Sequence, residues 1–259
     1  MVFFRCLLIS LLLFLVGCTQ QGIKGHMDTD VADGLAQSAE KSPADIYVQL
    51  GIAYMQEGQF VTALKKLRRG LELDPENANV HNMMGLLYEQ LNDNKRATSY
   101  FDSAVSLNPK DPYIRNARAT HYCKLGEYAE AETDFNIASD NPIYSTPWVA
   151  LTNAGLCSLR QNDEAKAERY FRQALARNNQ HYIALEQMAK IGWQQKNYLS
   201  ARAYLERYLA VQQPTAALLW LGIRIENVLN NREAMERYKR QLLELFPDAL
   251  EVQQMRELG

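Results

Sequence analysis

Cysteine and histidine have the widest chemical reach in this chain, and their spacing decides what they can do. The four histidines (His26, His81, His121 and His181) stand apart, with no H-E-x-x-H pair to hold a metal. The four cysteines (Cys6, Cys18, Cys123 and Cys157) form no Cys-x-x-Cys motif. There is no Walker-type loop and no G-x-S-x-G, and the abundant carboxylates fall on helical repeats where they face solvent. No catalytic, metal-binding or cofactor-binding residue is therefore assigned, and neither an enzymatic activity nor a small-molecule substrate is expected. The thiol with a definable reaction is Cys18. It closes an apolar run over 7–16 that follows the positive charge of Arg5. That run is too short to span a bilayer as a mature helix and reads as a targeting segment over 1–17.

Leu15-Val16-Gly17-Cys18 resembles the bacterial lipoprotein signal, in which the cysteine is acylated and becomes the first residue after cleavage. A plain secretory signal with a chance cysteine is the alternative. The small Gly17 and the hydroxyl-bearing Thr19 on either side of Cys18 favour lipidation. Residue 19 is not aspartate, so the usual enterobacterial sorting rule sends the protein to the outer membrane, facing the periplasm. Each buried methylene contributes ~0.8 kcal/mol, and a lipoprotein carries three chains, so release would be negligible. Cys6 leaves with the signal. Cys123 and Cys157 fall in predicted helices of adjacent repeats. They read as two small buried hydrophobes, while the periplasm also permits a disulfide between them.

The elements that carry these residues follow a period of 34. Leu50-Gly51, Tyr54, Ala63, Leu67, Gly70 and Pro75 make one pass, and Met84-Gly85, Tyr88, Ala97, Phe101, Ala104 and Pro109 make the next, each shifted by 34. A fixed period of this length means stacked two-helix units. The pattern resembles the tetratricopeptide repeat (TPR). Units begin near 44, 78, 112, 148, 182 and 215, with two extra residues after the third. Ala119, Tyr122, Gly126, Ala131, Phe135 and Ala138 mark the third unit, and Gly155, Ala167, Phe171 and Ala174 the fourth. The last two are weaker, carried by Ala201 and Leu205 and by Leu221-Gly222, Ala234 and Tyr238. The fold expected is an all-α TPR superhelical solenoid of about six helix-turn-helix repeats over 44–248, followed by a C-terminal tail over 249–259. Small residues sit where paired helices approach, and prolines help end the second helix of a unit. Residues 18–43 hold the lipidated cysteine and a polar tether. As a flexible coil its 25 residues after Cys18 span about 25–30 Å.

Hydrophobic residues make up 47% of the chain, enough for a continuous core, and the formal net charge is −2. So even a balance does not suggest nucleic-acid binding. The basic run Lys65-Lys66-Leu67-Arg68-Arg69 reads as the outer face of a helix that turns Leu64, Leu67 and Leu71 inward. Solenoids of this kind present a concave surface to a protein partner. Carrying over the family's groove positions gives Val48, Ile52 and Met55 in the first unit, Asn82, Leu86 and Glu89 in the second, and Asn116, Thr120 and Cys123 in the third. That mixture suits an extended or helical peptide. The dicarboxylate clamp of chaperone-binding TPR domains is not expected, because its places hold Val48, Ile52, Met83, Tyr113 and Ala117.

A more specific resemblance spans the mature chain. Leu221-Gly222-Ile223-Arg224, the closing Phe246-Pro247 and the opening Tyr47-Val48-Gln49-Leu50-Gly51, together with the lipobox and tether, are similar to the type IV pilus biogenesis lipoproteins, the PilF/PilW pilotin family. The resemblance implies a scaffold that binds secretin subunits in the periplasm, carries them to the outer membrane and promotes their multimerisation into the pilus channel. Two rival readings share the anatomy: a TPR lipoprotein of the β-barrel assembly machinery, and an organiser of peptidoglycan enzymes.

Overall fold

The computed structural model describes residues 42–257. The signal segment, Cys6, Cys18, His26 and the tether up to residue 41 lie outside the described residues. The first unit is α1 (Pro43–Gln56) and α2 (Phe60–Leu73), the second α3 (Ala78–Gln90) and α4 (Asn94–Leu107), and the third α5 (Pro112–Leu125) and α6 (Tyr128–Ser139). The fourth is α7 (Pro147–Arg160) and α8 (Glu164–Arg177), the fifth α9 (Tyr182–Gln194) and α10 (Tyr198–Leu209), and the sixth α11 (Ala216–Val228) and α12 (Arg232–Leu245). The stretch read as a tail continues into a further helix, α13 (Leu250–Glu257). It buries Val252 against α11 and α12 and closes the end of the stack.

Local sequence explains where each helix starts and stops. Ser42 and Asp45 form a reciprocal capping box at α1, and Pro43, Pro112 and Pro147 occupy first-turn positions, where a missing N–H is harmless. Asn77, Asp93, Asp111, Asp163, Asn197, Thr215 and Asn231 accept backbone N–H bonds at their helix starts. Within every unit the turn between the paired helices passes through a left-handed residue at the same place: Gly58, Asn92, Gly126, Asn162, Lys196 and Asn230. Lysine is the unsuitable one, with φ of 59° and a Cβ that crowds the backbone there. Lys196→Gly should raise the unfolding free energy by about 0.5–1 kcal/mol. A urea midpoint at or below that of the parent would contradict this.

Packing repeats with the same period. Leu67, Phe101, Phe135, Phe171 and Leu205 fill one equivalent place in five units and are buried. A small residue of the paired helix makes room for them: Gly51, Gly85 and Gly155 in three units, Ala119 and Ala189 in the other two. A Cβ on Gly155 would come within 2.6 Å of the Phe171 ring, so the ring packs directly on the α7 backbone. These large side chains fill their own unit, and Phe101 also reaches the next, lying 5.0 Å from the His121 ring. First helices of adjacent units touch one another at α1 with α3, α3 with α5, α5 with α7, and α9 with α11.

One slot recurs between neighbouring first helices. Its equivalent positions hold Met55 and Leu87, then Glu89 and His121, Cys123 and Cys157, and Leu159 and Ile191. Its third occupant is a disulfide, with Cα atoms 5.8 Å apart. The reading of two free buried hydrophobes is thus corrected, although both residues are buried. The two-residue insertion lies in the loop between α6 and α7, at the opposite end of α5 from Cys123. Tyr144 of that loop is buried edge-on against Tyr113 at 4.9 Å, and Asn141 donates to the Lys110 carbonyl at 2.7 Å.

His181 begins α9 without a side-chain cap, and its Nε2 is buried with no partner. Burial pushes its pKa down to about 4. The ring is held neutral, so its contribution is complete above the unfolded pKa near 6.5 and is lost as pH falls from there towards 4. The expected loss is about 1–3 kcal/mol, after allowing for partial exposure. His181→Asn supplies a capping acceptor and should remove this part of the acid sensitivity. Parallel urea midpoints at pH 7 and pH 4 would check it; equal pH dependence in both proteins would count against the assignment.

Candidate interaction groove

The first helices present rows of side chains along one face of the stack. Ile52, Leu86, Thr120, Leu156 and Lys190 occupy equivalent places in five successive units and are all half-exposed. Beside them runs Met55, Glu89, Cys123, Leu159 and Trp193, and beneath lies Val48, Asn82, Asn116, Thr152 and Glu186. Of the predicted groove residues, Ile52, Leu86, Glu89 and Thr120 reach the surface. Val48, Met55, Asn82, Asn116 and Cys123 are buried among the helices and offer no surface to a partner in this conformation. The carry-over places these residues on the first helices but does not give the depth of each side chain. Depth depends on how large the neighbouring units' residues are.

The floor is partly polar. Asn116 accepts from Asn153 Nδ2 at 3.1 Å, while Asn82 Oδ1 and Thr152 Oγ1 are buried with no hydrogen-bond partner. Glu89 anchors the second unit to the third. Its carboxylate receives His121 Nδ1 at 2.7 Å and forms an ion pair with Lys124. Burial alone would raise the Glu89 pKa, but the His121 bond and the Lys124 charge outweigh it and hold the group below the usual carboxylate range. Thr98 spends its hydroxyl proton on the Asn94 carbonyl and so meets His121 Nε2 as an acceptor, at 2.9 Å. The basic run sits as the sequence suggests: Lys65, Arg68 and Arg69 are exposed, Lys66 is half-buried, and Leu67 is buried.

At the far end of the groove, the Arg224 guanidinium lies 4.7 Å from the Trp193 ring centroid and 5.6 Å from that of Trp220. The resemblance had marked Arg224 only as part of a segment. These three side chains come from α9 and α11, and no local motif links them.

Repeat models agree with this geometry. A TPR repeat model matches residues 51–92, and tetratricopeptide repeat models match 78–111, 116–182 and 158–217. The type IV pilus assembly protein PilF of Pseudomonas aeruginosa is 30% identical over 241 residues, covering 93% of this chain and 92% of its own length. The chain belongs to the PilF family. Solved structures give the same placement for this PilF-family chain. Pseudomonas aeruginosa PilF superposes with a TM-score of 0.74 at 28% identity, over 83% of this chain and 97% of that one. PilW, a widely conserved type IV pilus biogenesis factor, gives 0.71 at 28% identity, over 83% and 99%. The protein is thus a TPR protein of type IV pilus biogenesis, with an architecture suited to contacts with other proteins.

Proposed function

We propose that this PilF-family protein is a pilotin. It is anchored to the outer membrane through lipid on Cys18, faces the periplasm, binds secretin subunits, and promotes their localisation and multimerisation for type IV pilus biogenesis. The observation that carries this reading is the extent of the PilF match, 93% of one chain and 92% of the other. A shared repeat module alone would match a part, whereas here the whole stack and its closing segment correspond. Lipid supplies the destination, the tether gives reach, and the groove gives recognition. Tethering also raises the effective concentration of a bound secretin at the membrane.

Cys18→Ala should leave a folded protein that moves from the membrane fraction to the soluble periplasmic fraction. Its secretin should then fail to accumulate in the outer membrane. Fractionation with antibodies to both proteins reads this directly, and normal outer-membrane secretin in the variant would refute the transport step. Binding is tested by purifying the mature chain from crosslinked cells. Recovery of β-barrel assembly components or peptidoglycan hydrolases in place of the secretin would move the protein to one of the rival roles.

A further inference from the structure

The groove holds one cation whose partner is missing. Among the described residues Arg224 makes no hydrogen bond or ion pair, and its Nε is buried without an acceptor. The two carboxylates of α9 and α11 are taken. Glu226, two residues along the same helix, is gripped by Arg202 through Nε at 2.8 Å and through Nη2, and Glu186 is paired with Lys190 at 2.6 Å. Elsewhere in the groove, buried charge is matched, as at Glu89 with His121 and Lys124. Burial accordingly lowers the Arg224 pKa with no carboxylate opposing it.

We infer that Arg224, held by Trp193 and Trp220, is a receptor for a carboxylate side chain of a bound protein. The site takes an aspartate or glutamate flanked by apolar residues. This inference rests on the reading that the groove engages a protein client. A guanidinium whose face is spent on aromatic rings keeps its in-plane N–H groups for hydrogen bonds, and the two Nη groups, beyond the buried Nε, match a carboxylate in fork-to-fork geometry. Indole walls lower the local dielectric and strengthen the pair. They also favour an apolar neighbour on the ligand. The arrangement differs from a terminal-carboxylate clamp, which draws its cations and amide from several units. Here one arginine and two tryptophans form the whole receptor.

Three tryptophans make the test clean, because Trp148 lies in another unit and serves as an internal control. The indole N–H resonances of the full mature chain would be followed while the capped peptides acetyl-Leu-Asp-Leu-amide and acetyl-Leu-Asn-Leu-amide are added separately. The expected result is saturable movement of Trp193 and Trp220 but not Trp148, by the aspartate peptide alone. Arg224→Gln should weaken it at least tenfold, and Arg224→Lys should retain part of it. Equal response to both peptides, or no movement at millimolar peptide, would overturn the inference. The secretin's periplasmic region is then titrated against the parent and Arg224→Gln. A tenfold or greater loss in the variant supports the site, and equal affinity overturns its role in client binding. Failure of the parent to bind the secretin counts against the pilotin reading instead, and the peptide experiment still decides the receptor.

Discussion

Loss of the Cys123–Cys157 bond is expected to lower the unfolding free energy of the repeat stack by about 3–4 kcal/mol. The cysteines lie 34 residues apart, so the crosslink closes a loop of one repeat length and removes that loop's freedom from the unfolded ensemble. Its position adds a second consequence. Each unit of a solenoid contacts only its neighbours, so cooperativity depends on every interface. The bond spans α5 and α7 and so joins the third unit to the fourth, where the period is interrupted. Without it, units one to three and units four to six should unfold at separate midpoints. Urea unfolding of the parent with and without reductant, and of a Cys123→Ser, Cys157→Ser double variant, reads both effects. One unchanged transition in all three conditions would contradict the account.

Asp134→Ala should be comparably damaging, at about 3–5 kcal/mol. The Asp134 side chain is only 2% exposed and receives Arg115 Nη1 at 2.5 Å and Arg118 Nε at 2.7 Å. Arg118 also reaches Asp102 at 3.0 Å, and the Tyr122 hydroxyl donates to the same Asp102 oxygen at 2.8 Å. The network ties α4, α5 and α6 together across the second and third units. Burial works against the Arg118 charge, but the Asp134 bonds overcome it and raise the Arg118 pKa. Truncating Asp134 leaves two largely buried guanidinium groups around a vacated carboxylate site. Asp134→Asn keeps the volume and should cost less. A loss below about 1 kcal/mol for the alanine variant would mean that the network is not desolvated as described.

The period was legible because close helix contact admits few residue types. Gly51, Gly85 and Gly155 are small where a large side chain packs on the helix backbone, and Asn92 and Gly126 mark turns that need a left-handed residue. The slot between first helices was harder to see. Cys123 and Cys157 are separated by one repeat length and so look equivalent. The insertion between them changes their registers, and they meet across the slot where Glu89 meets His121. Combining the insertion with the repeat count would have found the pair. Val48, Asn82 and Asn116 lie on first helices but are buried, because burial depends on cross-unit packing that a single-unit pattern does not carry. Arg224 stood only within the Leu221-Gly222-Ile223-Arg224 segment, and no motif joined it to Trp193. Their relation exists only once α9 and α11 lie side by side.

The pilotin role is tested most directly by deleting the gene and probing the secretin in fractionated membranes for detergent-resistant multimers. The account predicts that the multimers disappear from the outer membrane while growth and other outer-membrane barrels remain normal. Multimers persisting in the outer membrane at parental levels would contradict it and would assign this PilF-family scaffold a different client.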